Sequence, residues 1–191
     1  FKAEEGIHGT AAIADGKVFV GCDDGNLYAL DFKTGKKLWA FKTEDIVESA
    51  PLVKDGRVYF GSSDCFVYAL SAKDGKLLWK FETEDRVLGA PNFFQPKAKD
   101  AKPTVIVGSY DFKLYSFDPV SGKKKWDYET SNYINGSPAV FSGRTAFGGC
   151  DALLHVIDLN AGKKQKQIDA EAYIIGSAAV VNDMAYIGHY E

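Results

Sequence analysis

Cysteine is scarce and never paired: Cys22, Cys65 and Cys150 stand apart, with no C-x-x-C spacing and no two neighbours in sequence. A zinc site or disulfide framework has no support from that pattern, and all three fit small packing or turn positions. No apolar run approaches the roughly 20 residues needed to cross a bilayer. The first residues also lack the charged, apolar and small-residue order of a signal peptide. Positive charge is not in excess either. With 23 Lys and Arg against 26 Asp and Glu the formal net charge is -3, which gives no electrostatic reason to expect a nucleic acid as ligand. No Ser-His-Asp, H-E-x-x-H or Gly-rich phosphate-loop arrangement is present, so no catalytic residue is assigned. Methionine occurs once, against 19 Gly, 13 Phe and 10 Tyr, a balance that favours strands and tight turns over helical bundles.

What the chain does have is an internal repeat. The run Gly16 to Gly21 (GKVFVG) recurs as Gly56 to Gly61 (GRVYFG), and the last glycine recurs at Gly108, Gly148 and Gly188, with spacings of 40, 47, 40 and 40 residues. Other columns keep the register. Trp39, Trp79 and Trp126 align, as do Tyr28, Tyr68, Tyr115 and His155, the turn residues Gly35, Gly75, Gly122 and Gly162, and Ala11, Pro51, Pro91, Pro138 and Ala178. The longer third unit carries its extra residues around Gln95 to Pro103, which reads as a lengthened loop.

Within Glu48 to Glu82 the pattern predicts four short strands, Ser49 to Val53, Arg57 to Ser62, Phe66 to Leu70 and Leu77 to Phe81, separated by hairpin-turn chemistry. A four-stranded meander of about 40 residues is the signature of a propeller blade. The chain is therefore read as an all-β protein, a β-propeller segment with units at 8–42, 48–82, 88–129, 135–169 and 175–191, the last a half unit. That leaves an incomplete ring, whose remaining blades come from the parent chain or from another chain. The aligned Trp39, Trp79, Trp126, Tyr28, Tyr68 and Tyr115 are assigned to packing between blades. The fourth unit has Lys166 in the Trp column and His155 in the Tyr column, so looser packing is expected at its outer edge. Gly9, Ser49, Gly89, Gly136 and Gly176 are uniformly small, which suits a strand pressed against others near a common axis.

The stretches Gly16 to Trp39 and Gly56 to Trp79 follow G-x-V-Y-V-G-S-x-D-G-x-L-Y-A-L-D-x-x-T-G-K-x-L-W, and this resembles the PQQ-like propeller repeat over essentially the whole chain. That family includes quinoprotein dehydrogenases that bind pyrroloquinoline quinone. It also includes non-enzymatic propellers, among them the lipoprotein scaffold of outer-membrane barrel assembly and sensor domains of receptor kinases. For the dehydrogenases the resemblance implies a cofactor on the propeller axis, a vicinal disulfide, a Ca²⁺ held by acidic and amide side chains, and a catalytic Asp. This sequence departs from that set, with no adjacent cysteines and with its Asp residues on repeat columns. No cofactor is predicted. The resemblance further implies a periplasmic or other extracytoplasmic location.

Candidate sites come with two readings each. Asp24, Asp64, Asp111 and Asp151, with Glu191, place one carboxylate in each unit, either for a metal or basic partner or, as expected of Asp in hairpin turns, to accept backbone hydrogen bonds. His155 is read as a core filler. The column His8, Glu48, Leu88, Asn135, Ile175 varies between units, as ligand contacts would. The turns between third and fourth strands carry Lys33, Lys36, Lys37, Lys73, Lys76, Lys123, Lys124, Lys125, Lys163 and Lys164, while the opposite rim carries Glu4, Glu5, Glu44, Asp45, Glu84, Asp85 and Glu171, plus the turn carboxylates. One face is expected to be basic and the other acidic. The candidate interaction face is His8, Glu44, Asp45, Glu48, Glu84, Asp85 and Asn135, against the alternative that both rims are merely solvated. The reading is a non-catalytic protein-interaction or scaffold module of the cell envelope with a protein partner. The alternatives are a segment of a PQQ- and Ca²⁺-dependent oxidoreductase or the ligand-sensing domain of a receptor.

Overall fold

The computed structural model describes residues 1–97, 102–182 and 184–189. Every regular element among them is a β-strand, and the chain divides into two compact units, Phe1–Leu88 and Gly89–Glu191.

The first unit holds two antiparallel meanders, β1 (Ala12–Ala14), β2 (Lys17–Gly21), β3 (Asn26–Asp31) and β4 (Lys37–Lys42), then β5 (Leu52–Lys54), β6 (Arg57–Gly61), β7 (Phe66–Ser71) and β8 (Leu77–Glu82). The second unit repeats the design with β9 (Asn92–Phe94), β10 (Thr104–Gly108), β11 (Lys113–Phe117) and β12 (Lys124–Glu129). It continues with β13 (Ala139–Phe141), β14 (Arg144–Gly148), β15 (Leu153–Asp158) and β16 (Lys163–Asp169). A two-stranded sheet, β17 (Ala179–Val181) and β18 (Met184–Tyr186), ends the described part. These are the four propeller blades and the half blade that the repeat predicts. Residues 98–101 of the lengthened third-unit loop, and Tyr190 and Glu191 at the end of the half blade, lie outside the described residues.

The innermost strands are shorter than the sequence pattern suggests. The second blade begins pairing at Leu52, opposite Tyr59, and not at Ser49. Pro51 has no N–H to give a ladder, so pairing starts beyond it, and buried Ser49 belongs to the segment linking two blades. The small-residue column therefore lies just ahead of the strands. A Cβ on Gly136 would come within 2.4 Å of the Gly176 carbonyl oxygen, and one on Gly9 equally close to that of Glu48.

Two contacts explain why the columns recur. In the first unit, the Trp39 ring lies over the third-to-fourth turn of the next blade, where a Cβ on Gly75 would sit 2.7 Å from the indole. In the second unit, Trp126 lies over Gly162 in the same way and donates its indole N–H to the Leu159 carbonyl at 3.3 Å. Both glycines have positive φ, +72° and +66°, so the turn needs glycine twice over, for its backbone and for the ring above it. Trp79 is buried, with its ring 5.9 Å from that of Tyr59. Lys166, in the same column, lies on β16, which is exposed along its whole length, in keeping with looser outer packing in the fourth blade. At the other end of each blade, Val47, Val87, Ile134 and Ile174 are fully buried in the linking segments. Each packs directly on the glycine that closes a second strand: Gly21, Gly61, Gly108 or Gly148.

Candidate functional site

The turn between second and third strands is built the same way in every full blade. Asp24, Asp64, Asp111 and Asp151 each accept the backbone N–H two residues on, from Asn26, Phe66, Lys113 and Leu153, at 2.9 to 3.2 Å. The second carboxylate oxygen takes the hydroxyl of Tyr28, Tyr68 or Tyr115, each at 2.6 Å. Burial, reinforced by the adjacent carboxylate, pushes the Tyr28 and Tyr68 hydroxyls far above their ordinary pKa, so neither ionises in the physiological range. Burial works against ionised Asp24, but the hydrogen bonds from Tyr28 and Asn26 outweigh it and hold the carboxyl below its usual value. The aligned tyrosines are thus partners of the aligned aspartates as well as packing residues.

The fourth blade replaces the phenol with an imidazole. His155 and the Asp151 side chain are almost fully buried, with Nε2 2.9 Å from Asp151 Oδ2. The ring stacks on Phe147 at 5.1 Å, as Tyr68 stacks on Phe60 at the same distance in the second blade. Its Nδ1 faces the Tyr128 hydroxyl at 3.2 Å and the Gln167 amide at 3.3 Å. Tyr128 occupies the position held by Phe41 in the first blade, so the added hydroxyl appears where the imidazole needs a second partner. Burial lowers the His155 pKa, and the Asp151 carboxylate opposes that shift only in part. The ring is neutral at pH 7, with Nε2–H donating to Asp151.

These hydrogen bonds occupy the turn carboxylates one blade at a time, and no three His, Cys, Asp or Glu side chains converge as a metal site among the described residues. Cys22, Cys65 and Cys150 are separate free thiols. Among the described residues, these side chains do not make the vicinal disulfide or the shared acidic and amide ligand set of a quinone–Ca²⁺ centre.

The predicted interaction residues fall on the linking segments. Glu44, Asp45 and Glu84 are exposed, and Glu48 and Asp85 are half-buried. The carboxylates of Asp45 and Asp85 each accept the next residue's N–H, from Ile46 and Arg86, at 2.7 Å. His8 is exposed and pairs with Asp23 at 2.9 Å. Asn135 donates to Cys150 Sγ at 3.3 Å and leaves its buried Oδ1 without a partner. The variable column thus contacts the residue just before the turn aspartate in both units. At the opposite end, the lysine turns are less basic than their lysines alone suggest. Asp31, Asp118 and Asp158 cap the same turns, while Lys76 pairs with Asp74 and Lys124 with Asp127.

A feature missed in the sequence is an aromatic group at the second-turn end of the second unit. Tyr110 and Tyr133 stack at 4.9 Å, and Phe112 meets Tyr133 edge-on at 5.2 Å. Phe112 and Tyr133 are 36% and 41% exposed. Phe112 also has φ +71°, in a turn position held by Gly25, Cys65 and Ala152 elsewhere. A left-handed conformation costs a bulky residue about 1–2 kcal/mol. The one signal in the sequence was departure from the repeat: Tyr110 and Tyr133 stand where the first blade has Asp23 and Gly6.

A family profile described as outer membrane protein assembly factor BamB matches residues 2–189. The chain belongs to that family. The crystal structure of BamB from Moraxella catarrhalis superposes with a TM-score of 0.81 at 22% identity, over 97% of this chain and 56% of that one. The computationally designed protein Ika8 superposes with a TM-score of 0.80 at 16% identity, over 94% of this chain and 54% of that one. Both likenesses concern the propeller fold, and this chain spans little more than half the length of either protein. A search of curated protein sequences gave no match.

Proposed function

We propose that the chain is part of a non-catalytic interaction module of the cell envelope, an assembly-factor scaffold that binds a protein partner through the linking segments and second turns of its blades. The observation that carries this reading is the division of labour among the acids. The carboxylates repeated in the four full blades are tied to their own turns, whereas Glu44, Asp45 and Glu84, on the links, are exposed. A rim of that kind steers a partner with a basic surface and sets its orientation. The family's description supports an outer-membrane assembly role, and with it an extracytoplasmic location.

The test uses the parent protein in its own cells, with Glu44, Asp45, Glu84 and Asp85 all changed to Lys. The expected result is that the wild type fractionates with the envelope and co-purifies with barrel-assembly proteins, and that the variant, with an unchanged melting temperature, recovers them at least tenfold less well. A cytosolic protein, or unchanged recovery by the variant, would overturn the reading.

A further inference from the structure

We infer that Tyr110, Phe112 and Tyr133 form a docking site for an arginine-bearing segment of a protein partner, an inference that rests on the interaction-module reading. The three rings form one group on two adjoining segments. Tyr110 and Phe112 flank Asp111 in the turn after β10, and Tyr133 lies in the link between β12 and β13. The link is fixed against that turn: Thr130 N–H and Oγ1 both donate to the Phe112 carbonyl at 2.8 Å, and Ile134 N–H donates to the Ser109 carbonyl at 3.3 Å. The rings are therefore presented on a braced platform.

Phe112 supplies the second observation. It holds an unfavourable backbone conformation in a turn where the first blade uses glycine, and its ring stays partly exposed. Cys65 and Ala152 hold the same conformation at this turn position, so the turn imposes it; what is particular to Phe112 is a bulky ring carried there and left partly exposed.

Charge selects the occupant. Glu129, Asp169 and Glu171 are exposed at this end of the unit, and Lys113 is the only lysine or arginine there among the described residues, directly opposite Glu129 across the β11–β12 ladder. Electron-rich ring faces at an end of the unit where exposed carboxylates outnumber cations suit a cation, and a planar guanidinium stacks on aromatic rings where an ammonium does not.

The test titrates this chain with a capped peptide of four Gly-Arg repeats and follows the ring protons of the three residues by NMR. Parallel titrations use a four Gly-Lys peptide and the neutral sugar chitotriose. The arginine peptide is expected to shift all three rings and to bind at least threefold more tightly than the lysine peptide. Tyr133→Ala and Phe112→Gly should each weaken it at least fivefold, and Phe112→Gly should also raise the melting temperature, because glycine accepts the left-handed turn. Unchanged affinity in Phe112→Gly, equal binding of the lysine peptide, or larger shifts with the sugar would overturn the inference. The assay needs no envelope component, so its failure leaves the co-purification result standing, and loss of co-purification leaves the peptide result standing.

Discussion

Gly61→Ala is expected to lower the unfolding free energy by about 3 kcal/mol, at the upper end of the usual range for overpacking. A methyl group there would lie 2.3 Å from Val87 Cγ1 and 2.4 Å from the Val87 carbonyl oxygen. The side chain can turn or be shortened, but the carbonyl is held by the chain. Val87 N–H also donates to the Ser62 carbonyl at 3.1 Å, which fixes the link against the end of β6. Adding Val87→Ala should therefore restore only part of the loss. Gly176→Ala is the control, since nothing lies within 4 Å of a Cβ there, and it should stay within about 0.5 kcal/mol of the wild type. Urea midpoints at constant m-value read all three. If Gly61→Ala unfolds at the same midpoint as Gly176→Ala, close contact between link and strand is not the reason the glycine recurs.

Stability should also fall on mild acidification, and His155 should be the cause. Burial holds its folded-state pKa below the value of about 6.5 for an unfolded chain. The folded state then binds fewer protons than the unfolded state. Stability is complete above that pH and declines as pH drops toward the folded pKa, by at most about 1.4 kcal/mol per pH unit for one group. Protonation would also turn Nδ1 from an acceptor of the Tyr128 and Gln167 hydrogen bonds into a donor facing both groups. The double variant Tyr128→Phe/His155→Tyr copies the contact between the first and second blades, where Phe41 faces Tyr68 at 5.6 Å. Its unfolding free energy should be flatter between pH 7 and pH 5 than that of the wild type, as measured by urea titration at each pH. Equal slopes would remove His155 from the explanation.

The repeat columns were legible because each does the same work in every blade. Spacing, residue type and turn chemistry together marked the four-stranded blades and the turn glycines. Their partners were not legible, since a column states that a residue recurs and not what it touches. Trp39 meets a glycine 36 positions away, and Tyr28 meets the aspartate of its own turn. The strand beginning at Leu52 was placed too early because Ser49 is buried like a strand residue although it makes no ladder. Reading His155 as a core filler described its burial but missed its pairing with Asp151, which takes the place of the Tyr–Asp pairs of the other blades, and the hydroxyl of Tyr128 facing its second nitrogen. The rims were harder still. A tally of lysines suggested a strongly basic end, yet capping aspartates in the same turns offset them. The aromatic group went unnoticed because its members belong to different columns and meet only in the folded unit.

On the proposed function, repeated residues hold the blades and recognition falls to the links and second turns. Hydrogen exchange on the parent protein, alone and with the partner recovered from the envelope, tests it most directly. Slowed exchange is expected at residues 43–48, 84–88, 109–112 and 130–135, with no change at 32–36, 72–76, 118–123 and 159–163. Protection confined to the second set, the lysine turns, would contradict the account.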